Sequence, residues 1–233
     1  MPAIDPNRLA RQAEDLAAQP DDPGQIARAV RDLIEEYSDQ ARSSSPSLPT
    51  PVIRSLRTAL EQHGQQKDLS EALWREGSPD SRLLAAGLLE KSENPEVAAT
   101  AERWAGQSVP IEIVRELGER GLTGWRQADP TGFLDQVTSW LDGHKRRSQV
   151  LAAYALRARV SDPDFEDLPS VLGLLEGRLN GARGEVREAL VALFTALEKV
   201  APEETANFLN DEESSPLTKA LRARFNSQTL RMV

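Results

Sequence analysis

Apolar residues recur at helical spacing through most of the chain. Ile26, Val30, Leu33, Ile34 and Tyr37 fall on one face of the segment after Pro23, at the i, i+4, i+7, i+8 spacing of an amphipathic helix. Phe133, Leu134, Val137, Trp140 and Leu141 form a second stripe, and Val186, Leu190, Leu193, Phe194 and Leu197 a third. The period-two alternation of a strand never occurs. Beyond the segment after Pro23, helices are predicted to begin near Pro51, Asp68, Pro79, Pro95, Pro110, Pro130, Lys145, Leu168, Val186, Pro202 and Pro216. Ser43-Ser44-Ser45-Pro46-Ser47-Leu48-Pro49 is poor in helix formers and reads as an exposed connection.

Proline placement supports these starts. Nine of the 15 prolines follow a residue whose side-chain oxygen can cap a helix. Such an oxygen accepts from free first-turn N–H groups, and proline at the first helical position forfeits no hydrogen bond. Eight pairs read as helix starts: Asp5-Pro6, Asp22-Pro23, Thr50-Pro51, Ser78-Pro79, Asn94-Pro95, Asp129-Pro130, Asp162-Pro163 and Ser215-Pro216. The ninth, Ser45-Pro46, lies in the connection.

The resulting fold class is all-α, a curved stack of antiparallel helix pairs of HEAT-like type (an α-solenoid), with a compact orthogonal bundle as the structural alternative. The starts near 130 and 163 lie about one helix pair apart. Residues 1–42, including Leu9 and Leu16, are expected to form an N-terminal helical hairpin packed on the body. Residues 43–50 form a linker and 51–233 the repeat body. A concave face on such a stack suits a macromolecular partner.

Composition narrows the chemistry. The 233 residues are 39% apolar, 28% charged and 5% aromatic, which is ordinary for a folded helical protein and too apolar for disorder. No stretch approaches the roughly 20 apolar residues that span a bilayer, and the N-terminus has no apolar core after its charges, so no membrane association and a cytoplasmic location are expected. Cysteine is absent, which excludes disulfides, thiolate metal sites and cysteine nucleophiles. Only His63 and His144 offer imidazole; neither a metal nor a cofactor is expected, and the chain is expected to be a monomer. His63 reads as a helix C-terminal cap, and Asp211-Glu212-Glu213 as a solvated turn.

With 28 Lys+Arg against 37 Asp+Glu, the net charge of −9 repels polyanions unless positive charge is concentrated locally. His144-Lys145-Arg146-Arg147 is the one dense basic cluster. Gly143 ends one helix and the run opens the next, so three cations crowd a helix N-terminus whose dipole disfavours each by about 0.3–1 kcal/mol. A bound phosphate would offset that, because the same N-terminus presents free N–H groups. Asp142, Asp135 or acids of a neighbouring helix could do so instead. Arg187, near the start of a later helix, joins the patch if consecutive pairs stack. Arg28, Arg31, Arg222 and Arg224 read as solvated.

Three segments carry a resemblance. Leu73-Trp74-Arg75-Glu76 with Ser81-Arg82-Leu83-Leu84-Ala85-Ala86-Gly87-Leu88-Leu89, then Trp140 to Arg147 leading into Val150-Leu151-Ala152-Ala153, and finally Val186-Arg187-Glu188-Ala189-Leu190 with Ala201-Pro202-Glu203-Glu204, are similar to helix segments of the DNA alkylation repair (AlkD-like) family. The resemblance implies HEAT-like pairs holding duplex DNA on a basic concave face. It also implies a pocket of aromatics around a carboxylate, with an arginine on the adjacent helix, which in active members removes alkylated purines. Aromatic faces and a carboxylate suit a cationic base and the oxocarbenium charge that develops as it leaves. Arg147 matches the arginine position. The Trp-Asp motif falls near Gln107 to Ile113, where only Glu112 is acidic, and the later aromatic position holds Ala192 or Leu193. Trp125 and Asp129 have a Trp-x-x-x-Asp spacing, but Asp129 reads as a helix cap and Gly121 and Gly124 make the Trp125 segment a loop. Trp74, Trp104 and Trp140 sit on apolar faces and read as core.

Two functions follow. One is a non-catalytic repeat module that binds a partner, with duplex DNA held through Lys145, Arg146, Arg147 and Arg187 as one version and a protein as another. The second is a glycosylase for alkylated purines, whose catalytic residues the sequence does not identify.

Overall fold

A computed structural model describes residues 22–41, 50–61 and 66–229, together with five positions between Arg8 and Asp15. The described residues contain helices and no strand, so the chain is all-α. Leu9, Leu16, Asp5-Pro6, His63 and all but the last residue of the expected linker lie outside them. The chain divides into two compact units, Met1–Ser92 and Glu93–Val233.

The first unit contains α1 (Pro23–Ala41), α2 (Thr50–Leu60), α3 (Gln66–Glu76), α4 (Pro79–Leu88) and a closing 3₁₀ turn, Leu89–Lys91. It therefore takes in residues on both sides of the 43–50 segment. The predicted stripe of α1 is its buried face: Ile26, Val30, Leu33, Ile34 and Tyr37 are all buried. Arg31 bonds Glu76 at 2.9 Å and ties α1 to α3. Arg57 reaches both Glu61 and Glu90, tying α2 to the 3₁₀ turn. Arg31 is thus a tie between helices and not a solvated face.

The second unit contains α5 (Glu96–Ala105), α6 (Ile111–Glu116) running into a π turn (Leu117–Gly121), α7 (Thr123–Ala128), α8 (Pro130–Asp142), α9 (Arg146–Val160), α10 (Leu168–Leu175), α11 (Gly184–Val200), α12 (Pro202–Asp211) and α13 (Pro216–Thr229). Consecutive helices α8 and α9, α11 and α12, and α12 and α13 pack against each other. Their connections run from one to four residues. At the centre lies α9, packed against α5, α6, the π turn, α8 and α11. Every residue from Val150 to Leu156 is buried, so α9 is enclosed over two turns on all sides.

The caps explain where helices start. Ser78 Oγ accepts from Ser81 N at 3.1 Å, Asp129 Oδ1 from Gly132 N at 2.9 Å and Ser215 Oγ from Thr218 N at 3.0 Å. Asn94 Oδ1 accepts from Glu96 N, and α5 begins one residue beyond its proline. The Asp162-Pro163 expectation is corrected: no helix starts there. The Asp162 carboxylate instead takes two bonds from Arg126, at 3.0 and 3.1 Å, which turn it toward that side chain. The next helix waits for Asp167, which accepts from Ser170 N at the start of α10. Arg126 is 3% exposed, so this pair is internal. Arg222 likewise is not a solvated residue, since it donates to the carbonyls of Leu209, Asn210 and Glu212.

The π turn serves packing. Gly118 lies so near α9 that a Cβ there would meet Leu151 O and Tyr154 Cβ at 2.9 Å and Ala155 N at 3.0 Å. Two of these are backbone atoms that cannot yield without moving α9. Gly118→Ala should therefore destabilise the second unit by about 1–3 kcal/mol, read as a lower thermal midpoint by circular dichroism. An unchanged midpoint would mean that α9 can shift freely.

Candidate nucleic-acid interface

The start of α9 borders an open groove of about 700 Å³. Glu102, Arg103 and Gln107 line one side, from α5 and the turn after it, and Lys145 to Ser148 line the other. Gly143 ends α8 in an extended conformation, and Lys145 occupies the N-cap of α9 without a side-chain cap bond. First-turn N–H groups at this uncapped start have no intrahelical acceptor.

Acids of neighbouring helices hold two of the three cations. Lys145 Nζ lies 3.2 Å from Glu102 Oε1 on α5, and Arg147 Nη2 lies 3.3 Å from Glu185 Oε1 on α11. Asp142, one of the acids expected to neutralise the run, pairs instead with Arg178. Arg146 is exposed and has no ion pair among the described residues. Arg187 is exposed on the first turns of α11, the helix to which Glu185 bonds Arg147. Arg183, the N-cap of α11, is also exposed. Sequence reasoning missed Arg183, and its position just ahead of the Val186 stripe is the signal that could have found it.

Glu102 is the second residue missed. Its Oε1 accepts from Ser148 Oγ at 3.0 Å as well as from Lys145. Burial pushes its pKa up, but bonds from Ser148 and Lys145 and the nearby Trp140 indole N–H more than offset this, so the carboxyl sits below its ordinary value. The Trp140 N–H makes no hydrogen bond of normal geometry, so its effect on the carboxylate is a longer-range one. The Lys145–Glu102 pair is largely exposed and is worth about 0.2–1 kcal/mol.

The chemical set of a base-excising pocket is not gathered in one cleft. Trp74, Trp104, Trp125 and Trp140 are 4%, 0%, 2% and 2% exposed, so all four are core residues. Glu112 is exposed on the first turn of α6, and Leu193 is fully buried. Trp125 lies in α7 and not in a loop, packed edge-on against Phe133 at 5.7 Å, while Asp129 caps α8. Among the described residues no cluster of acids and histidines could hold a metal ion, and no helix is long and apolar enough to cross a membrane.

These features define an all-α protein of paired helices with a cationic, uncapped helix start beside an open groove. A family model described as DNA alkylation repair enzyme matches residues 45–224, and the chain belongs to that family. A search of curated proteins returns no match.

The lowered pKa of Glu102 carries a pH signature. A group whose folded pKa lies below its unfolded value contributes stability that is full above the unfolded pKa and is lost as pH falls through the folded one. As pH falls below about 4.5, the thermal midpoint of the native chain should drop more steeply than that of Glu102→Gln. Parallel acid limbs in the two melting series would contradict the assignment.

Proposed function

We propose that this chain is a non-catalytic, DNA-contacting member of its family. Lys145, Arg146 and Arg147 at the start of α9, joined by Arg187 of α11, hold backbone phosphates of a duplex. The observation that carries the non-catalytic part is the burial of all four tryptophans together with the Arg147–Glu185 pair. The arginine that matches the family's position is thereby held by a glutamate, away from any aromatic cage. Removal of a cationic base calls for aromatic faces and a carboxylate gathered at one open site, and neither Glu112 nor Leu193 supplies its part.

Support for the DNA part is electrostatic. In a chain of net charge −9, two neighbouring helix starts carry Lys145, Arg146, Arg183 and Arg187, all exposed. Helix starts donate their free N–H groups to phosphate oxygens, and arginine adds fork-shaped contacts. The reading includes a monomeric, cytoplasmic protein that works without metal or cofactor.

Binding of a short DNA duplex, followed across a salt series, tests this. The native chain should bind, and Lys145→Ala/Arg146→Ala/Arg147→Ala should lower the slope of log affinity against log salt by roughly two to three. Incubation with alkylated duplex should release no free purine. No binding at low salt would refute the DNA contact, and released base would refute the non-catalytic assignment.

A further inference from the structure

An anion already occupies the start of α9, and it belongs to the protein. Ser148 Oγ and Lys145 Nζ both donate to Glu102 Oε1, at 3.0 and 3.2 Å. Ser148 stands in the first turn, among N–H groups that have no intrahelical acceptor. Two of the converging donors are internal: Ser148 is 4% exposed and Trp140 2%. The Trp140 indole N–H is near enough to help lower the pKa of the same carboxylate yet makes no normal hydrogen bond. A buried donor left without a full partner is uncommon and calls for an explanation. The seat thus gathers a hydroxyl and an ammonium donor on one carboxylate oxygen, beside a buried indole N–H without a normal partner and the uncapped start of α9. A phosphate diester brings a tetrahedral set of oxygens that engages more of them, and the groove is open to admit it.

We propose that Glu102 is an internal stand-in for a DNA phosphate, and that the backbone docks at α9 by displacing its carboxylate from this seat. The proposal rests on the DNA-contacting reading above. Arg146 and Arg187, exposed and free of ion pairs among the described residues, make the first contacts; Lys145 becomes available once Glu102 has left. Displacement disfavours a ligand with one phosphate and favours a polyanion that engages several cations together. Glu102 therefore selects nucleic acid backbone over free nucleotides and inorganic phosphate.

The test compares duplex binding by the native chain, Glu102→Gln and Glu166→Gln over a salt series. Gln keeps the volume of Glu and removes its charge. Glu166 is exposed in the turn before α10, so its substitution changes net charge equally without touching the seat. Glu102→Gln should bind duplex about three- to tenfold more tightly, with a salt slope steeper by about one, because no displaced carboxylate then takes up a cation on binding. It should also gain measurable affinity for inorganic phosphate, while Glu166→Gln stays within about twofold of native. Adding Ser148→Ala to Glu102→Gln should remove most of the gain. Equal behaviour of the two glutamine variants, or an unchanged Glu102→Gln, overturns the stand-in and leaves the DNA contact intact if the native chain binds. Failure of both native chain and Glu102→Gln to bind duplex overturns both. Matching circular dichroism spectra establish that the variants are folded.

Discussion

The enclosure of α9 is the constraint from which the second unit follows. A helix buried from Val150 to Leu156 must satisfy neighbours on every side, and this sequence does so with Ala152, Ala153 and Ala155, small enough for backbones to approach. Gly118 continues that economy across the interface, where the π turn replaces a regular turn and removes the one side chain that would hold α9 off. Close packing of this sort transmits small changes in volume. It also leaves only the ends of α9 to meet water. Polar chemistry on this helix is therefore pressed toward its two ends, Arg157 and Arg159 at the last turn and three consecutive basic residues at the start despite the dipole.

The acids around that start make the arrangement tolerable. Glu102 from α5 and Glu185 from α11 each hold one cation, so two of the run's three charges are met by neighbouring helices and not by its own segment. Pairs of this exposure contribute little to stability. Their weakness lets the cations be redirected to a ligand without disturbing the core, since α9 is anchored by apolar contacts two turns further along. One of these pairs holds Arg147, the arginine that matches the family's position, at Glu185, while all four tryptophans are buried. Membership of the family fixes the fold and not the chemistry, because activity resides in the residues of a site.

Much of the architecture was legible because it is written locally. Capping oxygens at Ser78, Asp129 and Ser215 act within three residues of themselves, and the stripes of α1, α8 and α11 need only the helical period. The failures are those of long-range partners. Asp162 looks like a cap until Arg126, 36 residues away, claims both of its oxygens. The segment around Trp125 looks like a loop because Gly121 and Gly124 are read as breakers, whereas tertiary packing makes it helical through a π turn. At the candidate site the cations were legible as a run, but their acids were not. Glu102 lies 43 residues from Lys145 in sequence, and nothing local distinguishes it from Glu96, the other acid of α5. Asp142, the nearer and more obvious acid, is occupied by Arg178.

Amide hydrogen exchange of the native chain with and without a short DNA duplex tests the central claim most directly. New protection should concentrate in the first turns of α9 and α11, at residues 146–149 and 184–187, while the already buried middle of α9 shows none. Protection confined to other segments, or no change in those two turns at saturating duplex, would contradict it.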